Sequence, residues 1–153
     1  MPLSARFVNY AIDFEAAYVT GDWSRISSYF TSDAIYCVRN SNFDCEIRRP
    51  DNIIAGFKRS VDGFDRKLKR SLWVVDGPDE NQDSTSFIWH GVYRCNDCPP
   101  LSLSARQTAC YRDGLIERLT DEYLPGCADA AANWLNEHKP DLDPSYQEGD
   151  LTI

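Results

Sequence analysis

The sequence predicts an α+β domain in which a strongly curved, mostly antiparallel sheet wraps around helices that pack on one of its faces. Three observations carry this prediction. Apolar residues recur at three- and four-residue steps through the first third of the chain. From residue 69 onward they alternate instead, in four long runs. Turn residues punctuate those runs, most clearly Asp113-Gly114 before the last one. A curved sheet wrapped around helices buries both kinds of apolar face and leaves a cavity at its open end.

The first element expected is a helix over residues 4–19, with Phe7, Ala11, Phe14 and Tyr18 on one stripe, Ser4 as N-cap and Gly21 as stop. Asp22 then caps a second helix over residues 23–30, where Trp23, Ile26 and Phe30 repeat the spacing. "DAIYCVRN" (33–40) is β-branched and aromatic enough for a strand, and a short one fits "CEIR" (45–48). Pro50 and Asp51 open a third helix that buries Ile53 or Ile54, Phe57 and Val61.

Four strands follow. "KRSLWVVDG" ends in a Gly77-Pro78 turn, "STSFIWHGVYRC" runs into the "NDCPP" connection, and "LSLSARQTACYR" turns at Asp113-Gly114 into "LIERLTDEY". In the third, Leu101, Leu103, Ala105, Gln107, Ala109 and Tyr111 form a mostly apolar face. In the last, one parity holds Leu115, Glu117, Leu119, Asp121 and Tyr123, and the other holds Ile116, Arg118, Thr120, Glu122 and Leu124. A final helix spans 127–139 and stops at Pro140. Residues 1–139 thus make one domain, and 140–153 a polar, loosely held tail.

A formal charge of −8 and a pI near 4.7 argue against nucleic acid or an anionic membrane as partner. No apolar run approaches the ~20 residues of a membrane helix, and no charged leader precedes an apolar stretch, so the expected location is cytoplasmic. Six cysteines are then expected to be reduced. Cys95-Asn-Asp-Cys98 lacks the second pair or spaced histidines that zinc needs, and Pro99-Pro100 does not continue it as a redox helix, so neither metal nor cofactor is expected. The basic run "KRSVDGFDRKLKR" (58–70) reads as a solvated edge.

"FEAAYVTGDWSRISSYFTSDAIY", "RRPDNIIAGFKRSV" and "RDGLIERLTDEY" together resemble the NTF2-like superfamily, in its SnoaL-like and ketosteroid-isomerase-like branches, over residues 5–125. The resemblance implies a cone-shaped fold, a deep pocket between helices and sheet, and a homodimer through the outer sheet face. Matched position by position, the steroid isomerases' aspartate base falls on Val38. Their first-helix tyrosine falls on Phe14, a supporting tyrosine near Phe57, and their oxyanion aspartate near Gln107 or Thr108. That catalytic set is missing, which argues against steroid isomerisation by that mechanism. The same matching turns Leu119, Asp121 and Tyr123 inward with Phe87, Trp89 and Tyr93, and turns His90 outward.

Asp121 among aromatic rings would be desolvated, raising its pKa toward the range of a general acid or base, with Gln107 orienting it or holding a substrate oxygen. Phe14, Tyr36, Phe57, Trp89, Leu119 and Tyr123 are the expected ligand-binding lining, suited to a small, flat apolar molecule. The function that follows is a cofactor-independent cyclase, isomerase, dehydratase or hydrolase of a carbonyl or ring compound. A non-catalytic ligand-binding domain and a homodimeric interaction protein are the competing readings.

Overall fold

A computed structural model describes residues 1–42 and 44–138, together with the backbone of 151–152. Helix α1 spans Leu3–Thr20, strand β1 Phe30–Arg39, β2 Cys45–Arg48, helix α2 Pro50–Gly63, β3 Lys69–Glu80, β4 Ser84–Arg94, β5 Leu101–Arg112, β6 Leu115–Tyr123, helix α3 Cys127–His138 and β7 Leu151–Thr152. The chain is α+β, as expected. Its single mixed sheet has the order β3-β4-β5-β6-β1-β2-β7. Neighbours from β3 to β6 are antiparallel, β6 runs parallel to β1, β1 is antiparallel to β2, and β2 is parallel to β7.

The sheet is open and is not the strongly curled wrap expected. Nor are three helices gathered in the N-terminal half. The segment expected to be a second helix closes only one 3-10 turn, Ile26–Tyr29, before β1 begins at Phe30. Ser24, Ser27 and Ser28 compete for backbone bonds there, and eight residues cannot offset the cost of helix nucleation. Asp22 still caps locally, its Oδ1 accepting the Ser24 N–H at 3.0 Å. At the start of α1, Ser4 is inside the helix, and its N–H donates to Glu80 Oε2 at 2.7 Å. Gly21 stops α1 as expected, at φ +79°, with its N–H on the Ala17 carbonyl.

β3 does not end at Gly77. It runs on to Glu80 with register shifts on either side of Asp76, the unpaired residues being absorbed by local bulges. Gly77 sits at φ +104°, and a Cβ there would lie 2.8 Å from the Ser86 carbonyl oxygen, so only glycine fits. A second bulge, in β6, corrects the predicted facing. Cys110 pairs Arg118 while Tyr111 pairs Ile116, leaving Glu117 as the extra residue. Ile116 is therefore buried, and Glu117 turns out to pair with Arg112. From Leu119 onward the expected parity holds, with Leu119 and Asp121 buried.

α1 and α2 cover the inner face of the sheet and close a core of Phe7, Tyr10, Ile26, Phe30, Ile53, Phe57, Ile116 and Leu119. α3 packs on β5 over a second core containing Tyr93, Leu101, Leu103 and Trp134, and the Trp134 indole N–H donates to the Pro99 carbonyl at 2.7 Å. Cys95 and Cys98 form a disulfide across the β4–β5 connection, against the expectation of six thiols; Cys37, Cys45, Cys110 and Cys127 are free. Of the tail, residues 140–150 and 153 lie outside the described residues. Leu151 and Thr152 pair with Cys45 and Glu46, so this part of the tail extends the sheet. Among the described residues, no helix is long and apolar enough to cross a membrane.

Candidate functional site

β5, β6 and β1 lie side by side, and their register sets the site. Gln107 pairs with Asp121 across β5–β6, and Asp121 pairs with Val38 across β6–β1. Side chains alternate along a strand, so Tyr36 shares the inner face with Val38, two residues away. The Tyr36 hydroxyl donates to Asp121 Oδ2 at 2.6 Å, and Gln107 Nε2 donates to Oδ1 at 2.8 Å. The Trp89 ring lines the same cavity as Tyr36, Gln107 and Asp121. Thr108, the alternative match to Gln107, pairs with Thr120 in the opposite parity and does not line the cavity.

Burial pushes the Asp121 carboxyl up to about 6, against the pull of the bonds from Tyr36 and Gln107, which favour the anion. The Tyr36 phenol is raised well above its usual value, by burial first and then by the charge and hydrogen bond of Asp121. It therefore stays protonated as a donor through the neutral range.

Around this group lies a cavity of about 530 Å³. Phe14, Tyr36, Phe57, Trp89, Tyr123, Gln107 and Asp121 all line it. Phe57 meets Tyr36 and Phe14 edge-on at ring-centre distances of 4.9 and 5.3 Å, and Trp89 meets Tyr123 edge-on at 5.8 Å. Leu119 is the exception: it is fully buried in the core beneath and does not reach the lining. Val38, at the steroid isomerases' base position, is an apolar wall. His90 is on the outer face, its Nδ1 2.7 Å from Ser104 Oγ and its ring beside Trp73.

A second polar group at the cavity was not anticipated. Arg70, read from sequence as part of a solvated basic run, has a side chain only 7% exposed. Its guanidinium bonds Asp65 Oδ2 at 3.1 Å and Glu15, and lies 4.1 Å from the Tyr18 ring centre. Burial raises the Asp65 carboxyl to about 6, with Arg70 pulling it back down. The signal was available. Tyr93 faces inward, and an antiparallel partner directly opposite must face the same way; that partner is Arg70.

Asp121 makes stability depend on pH. Its folded pKa exceeds the ordinary 3.8, so between about pH 4 and 6 the native state holds more protons than the unfolded chain. The favourable contribution is complete below pH 4 and is lost as pH rises through 6. At pH 7 the ionised group costs on the order of 3 kcal/mol, from about two pKa units at 1.36 kcal/mol each. Asp121→Asn should therefore be more stable than the parent in urea unfolding at pH 7, with the gain shrinking toward pH 4. Asp65 adds a dependence of the same sign.

No sequence-family model matches the chain, and no curated protein matches it in sequence. Solved structures do match in fold. PrhC from Penicillium brasilianum is 12% identical with a TM-score of 0.61, over 90% of this chain and 93% of that one. An NTF2-like protein of unknown function from an Exiguobacterium species is 13% identical with a TM-score of 0.59, over 80% and 98%. A protein with a ketosteroid-isomerase-like fold from Catenulispora acidiphila, in complex with trimethylamine, is 12% identical with a TM-score of 0.57, over 78% and 88%. With an open mixed sheet, two covering helices and a pocket between them, the chain has the NTF2-like fold, and its structural neighbours are NTF2-like and ketosteroid-isomerase-like proteins at low identity.

Proposed function

We propose that the cavity takes a small, flat, apolar ring or carbonyl compound and that Asp121 moves a proton on it without a cofactor, the chemistry of an isomerase or cyclase. One observation carries this reading: a buried carboxylate, raised to about 6, stands in an aromatic cavity of about 530 Å³ and is held by Tyr36 and Gln107. A carboxylate offers about four lone-pair sites, and Tyr36 and Gln107 take one on each oxygen, leaving room for a substrate proton. A base with a pKa near 6 is ionised at neutral pH yet basic enough to accept a proton in the transition state. The carboxylate takes the proton from the carbon next to a ketone; the C–H electron pair becomes the C=C bond of an enolate, and the carbonyl π pair moves onto the oxygen. The same acid then returns the proton. Gln107, bonded to Asp121, is the orienting residue.

The test uses 2-tetralone, a flat bicyclic ketone, in deuterated buffer. The protein should speed deuterium uptake next to the carbonyl, with a rate that rises through about pH 6 and levels off above it. Uptake no faster than in buffer alone would remove the catalytic reading.

Binding without catalysis is favoured by one observation, that both Asp121 oxygens already accept bonds from the protein. It predicts that 2-tetralone binds with no exchange. The outer sheet face is proposed as the homodimer surface; Trp73 meets His90 there at a tilted angle and is half-exposed.

A further inference from the structure

The cavity has a second polar end. Phe87 pairs with Gln107 and so stands level with Asp121, and Trp89 and Tyr93 follow it on the same face of β4. All three line the cavity, which therefore runs along β4 from Asp121 to the pair Tyr93–Arg70. Tyr93 is only 6% exposed, and its ring meets Phe64 edge-on at 5.0 Å. Its hydroxyl makes no hydrogen bond among the described residues. Nor is it sealed in the core with the unpartnered hydroxyls of Thr31, Thr85 and Tyr111, so it opens on the cavity. Burial first, then the charge of Asp65, raise the Tyr93 phenol far above its usual value; Arg70 opposes them, and Asp121 adds to them. The hydroxyl thus feels both acids of the cavity and stays protonated.

A buried hydroxyl without a protein partner offers a hydrogen bond that a bound group can complete. The group must also suit the charges beside it. Arg70 lines the same end of the cavity and donates to Asp65 and Glu15, which leaves some of the five N–H groups of a guanidinium over. Its charge already faces two carboxylates, which disfavours a third on the ligand, while the guanidinium itself disfavours an ammonium. A neutral hydroxyl meets neither objection. It can accept from Tyr93 or Arg70 and donate to Asp65.

We infer that the ligand carries, at the end remote from its carbonyl, a hydroxyl bound by Tyr93 beside the Arg70–Asp65 pair. The inference rests on the ring-binding reading of the cavity and narrows it to a class of substrate, the hydroxylated aromatic ketones.

The experiment is a calorimetric titration with flat ketones of two lengths, each with and without a terminal hydroxyl. The pairs are 2-tetralone with 6-hydroxy-2-tetralone, and 4-acetylbiphenyl with 4-acetyl-4′-hydroxybiphenyl. In at least one pair, the one whose length spans the cavity, the hydroxyl should tighten binding about tenfold. In Tyr93→Phe, which removes the phenolic oxygen alone, the gain in that pair should fall below about threefold. A hydroxyl that gives no gain in either pair overturns the inference, since water then serves Tyr93 as well as the ligand does. A gain that Tyr93→Phe leaves unchanged overturns it too. The carboxylate analogue, 4′-acetylbiphenyl-4-carboxylate, should bind more weakly than the hydroxylated biphenyl; tighter binding would make this end an anion site and overturn the hydroxyl class. If the plain ketones bind and the hydroxyl adds nothing, this inference fails and the ring reading stands; if no compound binds, both fail.

Discussion

Replacing Asp121 with asparagine is expected to slow deuterium exchange of 2-tetralone by about 10²- to 10⁴-fold, the usual worth of a positioned general base. The substitution is close to isosteric, so the cavity and its aromatic walls should persist. An amide oxygen can still accept from Gln107, and the amide N–H can donate to the Tyr36 hydroxyl in the reversed direction. What is lost is the capacity to take a proton, so the loss should appear in kcat with little change in KM. Because burial makes the charge costly, the same variant should gain stability at neutral pH. Loss of catalysis together with gain of stability separates a functional carboxylate from a structural one, whose removal would destabilise.

Arg70→Met should destabilise the fold at pH 7 by about 1–2 kcal/mol through the charge it leaves uncompensated. Removing the guanidinium leaves Asp65 buried with no cation. The folded chain can then avoid a buried charge only by protonating it. Asp65 already sits at about 6 in the parent, so taking it to its neutral form at pH 7 costs about one further unit of 1.36 kcal/mol, which caps this charge penalty near 1.4 kcal/mol. The penalty should therefore shrink as pH is lowered through 6, where Asp65 of the parent is protonated as well. Arg70→Met/Asp65→Leu should recover much of the loss at pH 7, because the uncompensated acid is gone. Urea unfolding of the three proteins at pH 7 and pH 5 measures both effects. An Arg70→Met penalty that does not vary with pH would mean that lost packing against Tyr18 outweighs the charge.

Features set by local period and by neighbouring strands were legible in the sequence. Alternation in β5 identified the face bearing Gln107, and the Asp113-Gly114 turn tied β6 to it, so that Gln107 and Asp121 stand opposite each other. The inner facing of Phe87, Trp89 and Tyr93 came from the resemblance to NTF2-like proteins, and it agrees with their pairing opposite Gln107, Ala105 and Leu101. Features that depend on non-local pairing were not legible. The Tyr36–Asp121 bond spans 85 residues and exists because β1 runs parallel to β6, a register no local pattern specifies. Tyr36 was accordingly read as a ring in the wall, and not as the donor that holds the acid.

The bulge at Glu117 changed the facing of two residues, because one extra residue exchanges the faces of everything before it. Arg70 was hidden by its neighbours: in "KLKR" it reads as one basic group among several, and only its position opposite Tyr93 takes it inside. Leu119 shares the parity of Asp121 and yet lies beneath the chamber, where the covering helices have already closed over the sheet. Parity selects a face, while the helices decide which part of that face stays open.

The proposed chemistry turns on Asp121 being a desolvated acid held in an aromatic chamber. A carboxyl-carbon NMR titration of the folded chain, with the Asp121 resonance assigned by its absence in Asp121→Asn, tests this most directly. The predicted result is a midpoint near pH 6, well above the ordinary 3.8. A midpoint at or below 3.8 would show that hydration or the bonds from Tyr36 and Gln107 outweigh burial, and would contradict this reading of Asp121.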